Sequence, residues 1–146
     1  QADVAFATGH SSPTESLLMA QAAHDMGFKK CIITHPNALI WKMSPAQLER
    51  AASLGAWIEF CYLGRFWGED SAMPTYPRQS LQEATEILRV APERTFITTD
   101  LGQVGMPRPV AGMRQARNEL LKAGFSAASL KSMLSDTPAY LIGLEK

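Results

Sequence analysis

Lys29-Lys30-Cys31-Ile32-Ile33-Thr34-His35-Pro36-Asn37 is the stretch whose reading decides the fold. Cys31-Ile32-Ile33 is a short apolar run of β-type residues with no polar alternation. Such a run suits a strand buried on both faces, the usual state of a strand in a parallel sheet. It stops at Thr34-His35-Pro36, where the proline disfavours a helical His35 and turns the chain into a loop. A buried strand that hands a histidine to the loop at its carboxyl end follows the logic of parallel α/β folds, whose sites gather at that end.

The same punctuation recurs on either side. Asp3–Thr8 reads as a strand, and Ser12-Pro13-Thr14-Glu15 opens a helix with a capping box and a proline at its first position. Leu17, Leu18, Ala22 and Met26 recur at helical spacing, and Gly27 stands where a left-handed C-terminal cap belongs. After the strand 30–34, Ser44-Pro45-Ala46-Gln47 opens a second helix that Gly55 ends. A third strand covers 56–62, a loop rich in Gly, Pro and aromatic residues covers 63–79, and Ser80-Leu81-Gln82-Glu83 opens a third helix. Thr95–Thr99 is a fourth strand, and 109–123, 127–134 and 138–143 look helical. The order β-α-β-α-β-α-β-α-α-α predicts an α/β fold with a parallel sheet and right-handed crossovers. No composition break divides the 146 residues, so 1–146 is read as a single domain.

Composition limits the function. Apolar residues make up 46% of the chain and charged residues 19%, with fourteen basic against fourteen acidic side chains. That balance gives no electrostatic footprint for nucleic acid or an anionic membrane, and neither is expected as a partner. No apolar run approaches the roughly 20 residues of a membrane span, and no signal-peptide pattern opens the chain. Cys31 and Cys61 sit 30 residues apart in apolar runs and read as buried free thiols, which points to a reducing, cytoplasmic setting.

Chemistry concentrates at the carboxyl ends of the strands. These read Thr8-Gly9-His10, Thr34-His35-Pro36, Tyr62-Leu63-Gly64 and Thr98-Thr99-Asp100. Three of the four deliver a His or an Asp, and two imidazoles with one carboxylate are the donor types of a hydrolytic divalent-metal site. His24, the third histidine, falls inside a helix and reads as a surface residue. Glu59, in Trp57-Ile58-Glu59-Phe60, alternates with Ile58 and Phe60. It either faces the site or pairs with a basic residue.

With these residues in order, the chain resembles the second half of a metal-dependent hydrolase barrel of the amidohydrolase superfamily. The resemblance implies a (β/α)8 (TIM) barrel, of which 1–146 would supply strands 5–8. His10 would then follow strand 5, His35 strand 6 and Asp100 strand 8, with strand 7 supplying no ligand. Asp136-Thr137-Pro138-Ala139-Tyr140-Leu141-Ile142-Gly143-Leu144 is similar to that superfamily's closing helix. Thr34-His35-Pro36 and Thr98-Thr99-Asp100-Leu101-Gly102-Gln103 are closest to a branch with no settled substrate.

The resemblance implies metal ligation by His10, His35 and Asp100, with zinc as the expected ion and manganese as the alternative. His35 and Asp100 take the catalytic roles, Asp100 moving a proton from the attacking water to the leaving group. The expected activity is hydrolysis of a C–N or C–O bond in a small molecule. A decarboxylase, or a non-catalytic barrel fragment serving as a binding module, is the alternative.

The His-x-His that such a site takes from strand 1 occurs nowhere in the chain. A whole barrel needs roughly 250 residues, so the chain is expected to be a fragment lacking an N-terminal half, or to pair with another copy. Half a barrel leaves open sheet edges and an uncovered apolar face, both of which favour association.

Gln103 is a further candidate for substrate contact or for bracing its loop. Arg65, Arg78 and Arg108 lie in carboxyl-end loops and read as solvated charges. Trp41, Phe66, Trp67 and Tyr76 are expected to form a pocket wall or a contact between copies.

Overall fold

Three serines set the rhythm of the helices. Ser12, Ser44 and Ser80 each accept the backbone N–H three residues on, and the side chains of Glu15, Gln47 and Glu83 accept the serine N–H in return. These reciprocal bonds satisfy donors that the first helical turn leaves free. They open α1 (Pro13–Asp25), α2 (Pro45–Ser53) and α3 (Leu81–Leu88). The computed structural model describes residues 3–144.

The four strands are β1 (Phe6–Ala7), β2 (Cys31–Ile33), β3 (Trp57–Cys61) and β4 (Thr95–Thr98). They form one sheet in sequence order, every neighbouring pair parallel. The chain is therefore mixed α/β, as the alternating pattern predicts. Register fixes the faces. Ile33 pairs with Ile58 and Phe60 with Ile97, so these side chains share one face.

That face is the core. Cys31, Ile33 and Ile58 pack with Ala20 of α1 and Leu48 of α2, while Phe60, Tyr62 and Ile97 pack with Leu88 of α3 and with Leu120 of α4 (Pro109–Lys122). Leu130 of α5 (Ala127–Lys131) joins the second group. The opposite face carries Ile32, Trp57, Glu59, Cys61, Phe96 and Thr98 by the same register. Four of these six remain partly exposed, whereas the core-facing Phe60 is 0% exposed.

Two boundaries differ from the sequence reading. The first strand is predicted over Asp3–Thr8 but pairs only at Phe6–Ala7. It has a neighbour on one side alone, and Val4 and Phe6 are exposed by 59% and 43%. The predicted helices 127–134 and 138–143 are joined rather than separate. A π-helical turn, Ser132–Asp136, links α5 to α6 (Thr137–Leu141). Pro138 has no N–H to give and its ring crowds the carbonyl four residues back, and the wider turn relieves that conflict.

A candidate metal centre in an aromatic cleft

Three strands deliver their last residues through the same backbone device. Gly9 after β1, His35 after β2 and Asp100 after β4 have φ of 66°, 46° and 50°. This left-handed region is costly for most side chains and is visited chiefly by Gly, Asn, Asp and His. Strain of this kind collects where a fold must aim a side chain. The ends of β1 and β2 are laced together, Thr34 N–H donating to Thr8 Oγ1 at 3.1 Å and Gly9 N–H to Thr34 Oγ1 at 3.2 Å. Asn37 ties the loop after β2 to β3. Its amide donates to the Cys61 carbonyl at 2.8 Å and accepts the Cys61 N–H at 3.0 Å.

These devices bring His35, Cys61 and Asp100 together, with one ligand atom from each lying within 4.8 Å of the others. Ligands round a tetrahedral zinc lie about 3.5 Å apart, as bond lengths of about 2.0–2.3 Å require, so modest closure would suffice. His35 Nδ1 is buried and has no hydrogen-bond partner among the described residues. Glu59 Oε2 lies 3.6 Å from it. Glu59 therefore stands beside the His35 ring. His10 borders the group without joining it. Its ring centre is 5.4 Å from that of His35, and it stacks on Trp41 at 4.5 Å with 21° between planes.

Cys61 is the donor that the sequence reading passes over. Both cysteines are free and buried. Burial pushes the Cys61 thiol up to about 12, and the Asp100 and Glu59 carboxylates push it the same way. A cation at this point would reverse that balance, since a coordinating thiol gives up its proton. The missed signal was phase: Cys61 stands two residues beyond Glu59 and so shares its face.

A cavity of about 270 Å³ opens beside the cluster, lined by His10, His35, Cys61 and Asp100 and by loop residues including Trp41, Trp67 and Tyr76. Two expectations about these loops need correction. Arg65 is not a solvated charge. Its guanidinium binds Glu119 Oε2 at 3.1 Å and donates to the Gln79 carbonyl, and Tyr62 Oη donates to the same Glu119 oxygen at 2.7 Å. Arg78 is an exposed charge, as expected, and from the surface it donates to the Trp67 carbonyl at 2.7 Å and pairs with Asp70. Phe66 is no pocket wall: it lies 7% exposed in the core. It lies near α4 at Gly112, where an added Cβ would come within 2.1 Å of Leu101.

Arg108 is exposed at the start of α4, as expected of a surface charge. Gln103 braces its own loop, donating to the Asp100 carbonyl at 2.8 Å and accepting the Gly102 N–H at 3.2 Å. His24 is exposed, with Nδ1 3.0 Å from the Leu54 carbonyl.

A family model described as a family of unknown function (DUF6282) matches residues 1–59. That span holds β1, α1, β2 and α2 and runs into β3, and it includes His10, His35 and Glu59. No curated protein and no solved structure matches the chain.

Proposed function

We propose that the chain carries a divalent-metal site of an amidohydrolase-like hydrolase, on four (β/α) units that would form strands 5–8 of a TIM barrel. The observation that carries this reading is the approach of His35, Cys61 and Asp100 to within 4.8 Å, beside an orphaned His35 Nδ1. The donor set of imidazole, thiol and carboxylate suits zinc better than a hard cation, which would want oxygen alone. Strands in sequence order, with α1–α4 packed on one face of the sheet, agree with half of a barrel.

His35, Cys61 and Asp100 would hold the ion, with His10 at its margin. When bound, a divalent ion supplies Lewis acidity toward water and toward a carbonyl oxygen. Glu59 faces His35 Nδ1 and would fix which ring nitrogen points inward, as carboxylates do behind metal-binding histidines. Asp100 would take the proton of the attacking water and return it to the leaving group of a small C–N or C–O substrate. The absence of any His-x-His favours a second reading, a metal-binding half that needs further strands before it catalyses. Those strands would come from another copy or a preceding segment. The two buried free thiols fit a reducing, cytoplasmic setting, and no helix among the described residues is long and apolar enough to cross a membrane.

Metal content after dialysis against zinc tests the reading. About one zinc per chain is expected, falling at least tenfold in affinity in His35→Ala and Asp100→Ala, the scale on which even supporting residues of metal sites act. Wild-type chain that retains no zinc, or variants that retain it equally, would refute the proposal.

A further inference from the structure

Beyond the metal donors, the cleft has a second half made of loop residues, and its composition is specific. Trp41 lies against His10 with ring centres 4.5 Å apart, and Trp67 lies against Tyr76 at 4.9 Å. Both aromatic pairs line the same cavity. The loop that bears Trp67 is held in place by Arg78, which binds the Trp67 carbonyl and Asp70. These rings are therefore positioned before any ligand arrives.

The cavity also gathers polar atoms that have nothing to bond. Trp41 Nε1, Trp67 Nε1 and Gln79 Oε1 are buried without partners among the described residues, and all three residues line this cleft. An unmet buried polar atom is costly, so three round one cavity call for a guest with matching groups. Two of them are indole donors and one is an amide acceptor. Charge is scarce by contrast. Arg78 is committed to Asp70, and Lys42 lies 3.9 Å from Glu83. The carboxylates that line the cavity are Glu83 and Asp100, which disfavours an anionic guest. At about 270 Å³ the space falls just below the roughly 300–1,000 Å³ of sites for larger ligands.

We infer that this cleft binds a small, uncharged, single-ring aromatic molecule carrying an amide-like group. The ring lies against the Trp41 and Trp67–Tyr76 walls and the polar group meets the indole N–H donors and Gln79. The inference deepens the hydrolase reading by naming the class of molecule its site takes, and it rests on that reading only for which end of the ligand faces His35 and Asp100.

The chain reports on itself through three indoles. Trp57 is the internal control, because it sits at the amino end of β3, where its Nε1 donates to the Lys29 carbonyl and its ring lies against Tyr140 and Arg94. The 15N-labelled chain is titrated with benzamide, cyclohexanecarboxamide and benzoate while the indole N–H signals are followed by NMR. Benzamide is expected to move the Trp41 and Trp67 signals and leave Trp57 still. The saturated amide should bind about tenfold more weakly, the scale of one lost aromatic contact, and the anion should bind more weakly than benzamide because of the lining carboxylates.

Trp67→Leu should weaken benzamide by about the same factor, with an unmoved Trp57 signal certifying its fold. Trp41 and Trp67 signals that stay fixed, or that respond equally to cyclohexanecarboxamide, overturn the inference. The two readings fail separately. Moving indoles in a chain that holds no zinc would sink the metal site and keep the ring site, and bound zinc with unmoved indoles would do the reverse.

Discussion

His35 and Asp100 stand in left-handed backbone at φ 46° and 50°, one residue beyond a threonine at the end of a parallel strand. A β-carbon is strained there, and a glycine is not. Asp100→Gly should therefore unfold at higher urea than Asp100→Ala, by about 1 kcal/mol in free energy, although both lose the carboxylate. Equal stabilities would mean that the turn relaxes once the aspartate is gone. Individual site residues differed in how far the sequence exposed them. His35 and Asp100 were legible because each is a polar residue following an apolar run. Glu59 was legible as a carboxylate in an apolar strand, although its approach to His35 was not. Cys61 was hidden, because a thiol in an apolar run looks like core, and only its spacing from Glu59 gives its direction.

At the level of elements, local chemistry read well and distant chemistry did not. The three capping boxes span four residues each, so the sequence shows both partners at once. The Tyr62–Arg65–Glu119 network joins residues 54 and 57 positions apart, and no local pattern announces it. It anchors the short helix Tyr62–Phe66, and with it the base of the aromatic loop, to α4.

The same network should shape stability against pH. Burial alone would raise the Glu119 pKa, but hydrogen bonds from Gln115, Tyr62 and Arg65 and the Arg65 charge outweigh it and hold the carboxyl below its ordinary 4.5. A depressed folded pKa gives stability that is present above the ordinary value and is lost as pH falls through the folded one. The stability lost in Glu119→Gln, measured by urea unfolding, should accordingly be largest near neutral pH and shrink below pH 4.5. Burial raises the Tyr62 hydroxyl above its ordinary 10, so an alkaline loss should begin above that value. A difference between wild type and Glu119→Gln that stays constant through the acid range would remove Glu119 as its source.

For the whole molecule, alternation of strand and helix was enough to foresee a parallel α/β sheet, because each βα unit is a local pattern repeated. What covers the second face of that sheet was not legible, since it depends on partners outside the pattern. The face bearing Trp57, Glu59 and Thr98 is only partly covered, and β1 offers a bare edge beside exposed Val4 and Phe6. Parallel sheets are ordinarily enclosed on both sides. The 146-residue chain should therefore self-associate in sedimentation experiments, and Val4→Lys with Phe6→Lys should shift it toward monomer. A wild-type chain that sediments as a monomer throughout would show that this edge needs no partner.

One small link has a consequence for the entire site. Asn37 bonds both the N–H and the carbonyl of Cys61, so the segment that carries His35 is tied to the strand that carries Cys61. In the proposed metal site, two donors so tied would act as a chelate. The disorder lost in bringing them together is lost when the chain folds, and an arriving ion would meet a pair whose separation is already set.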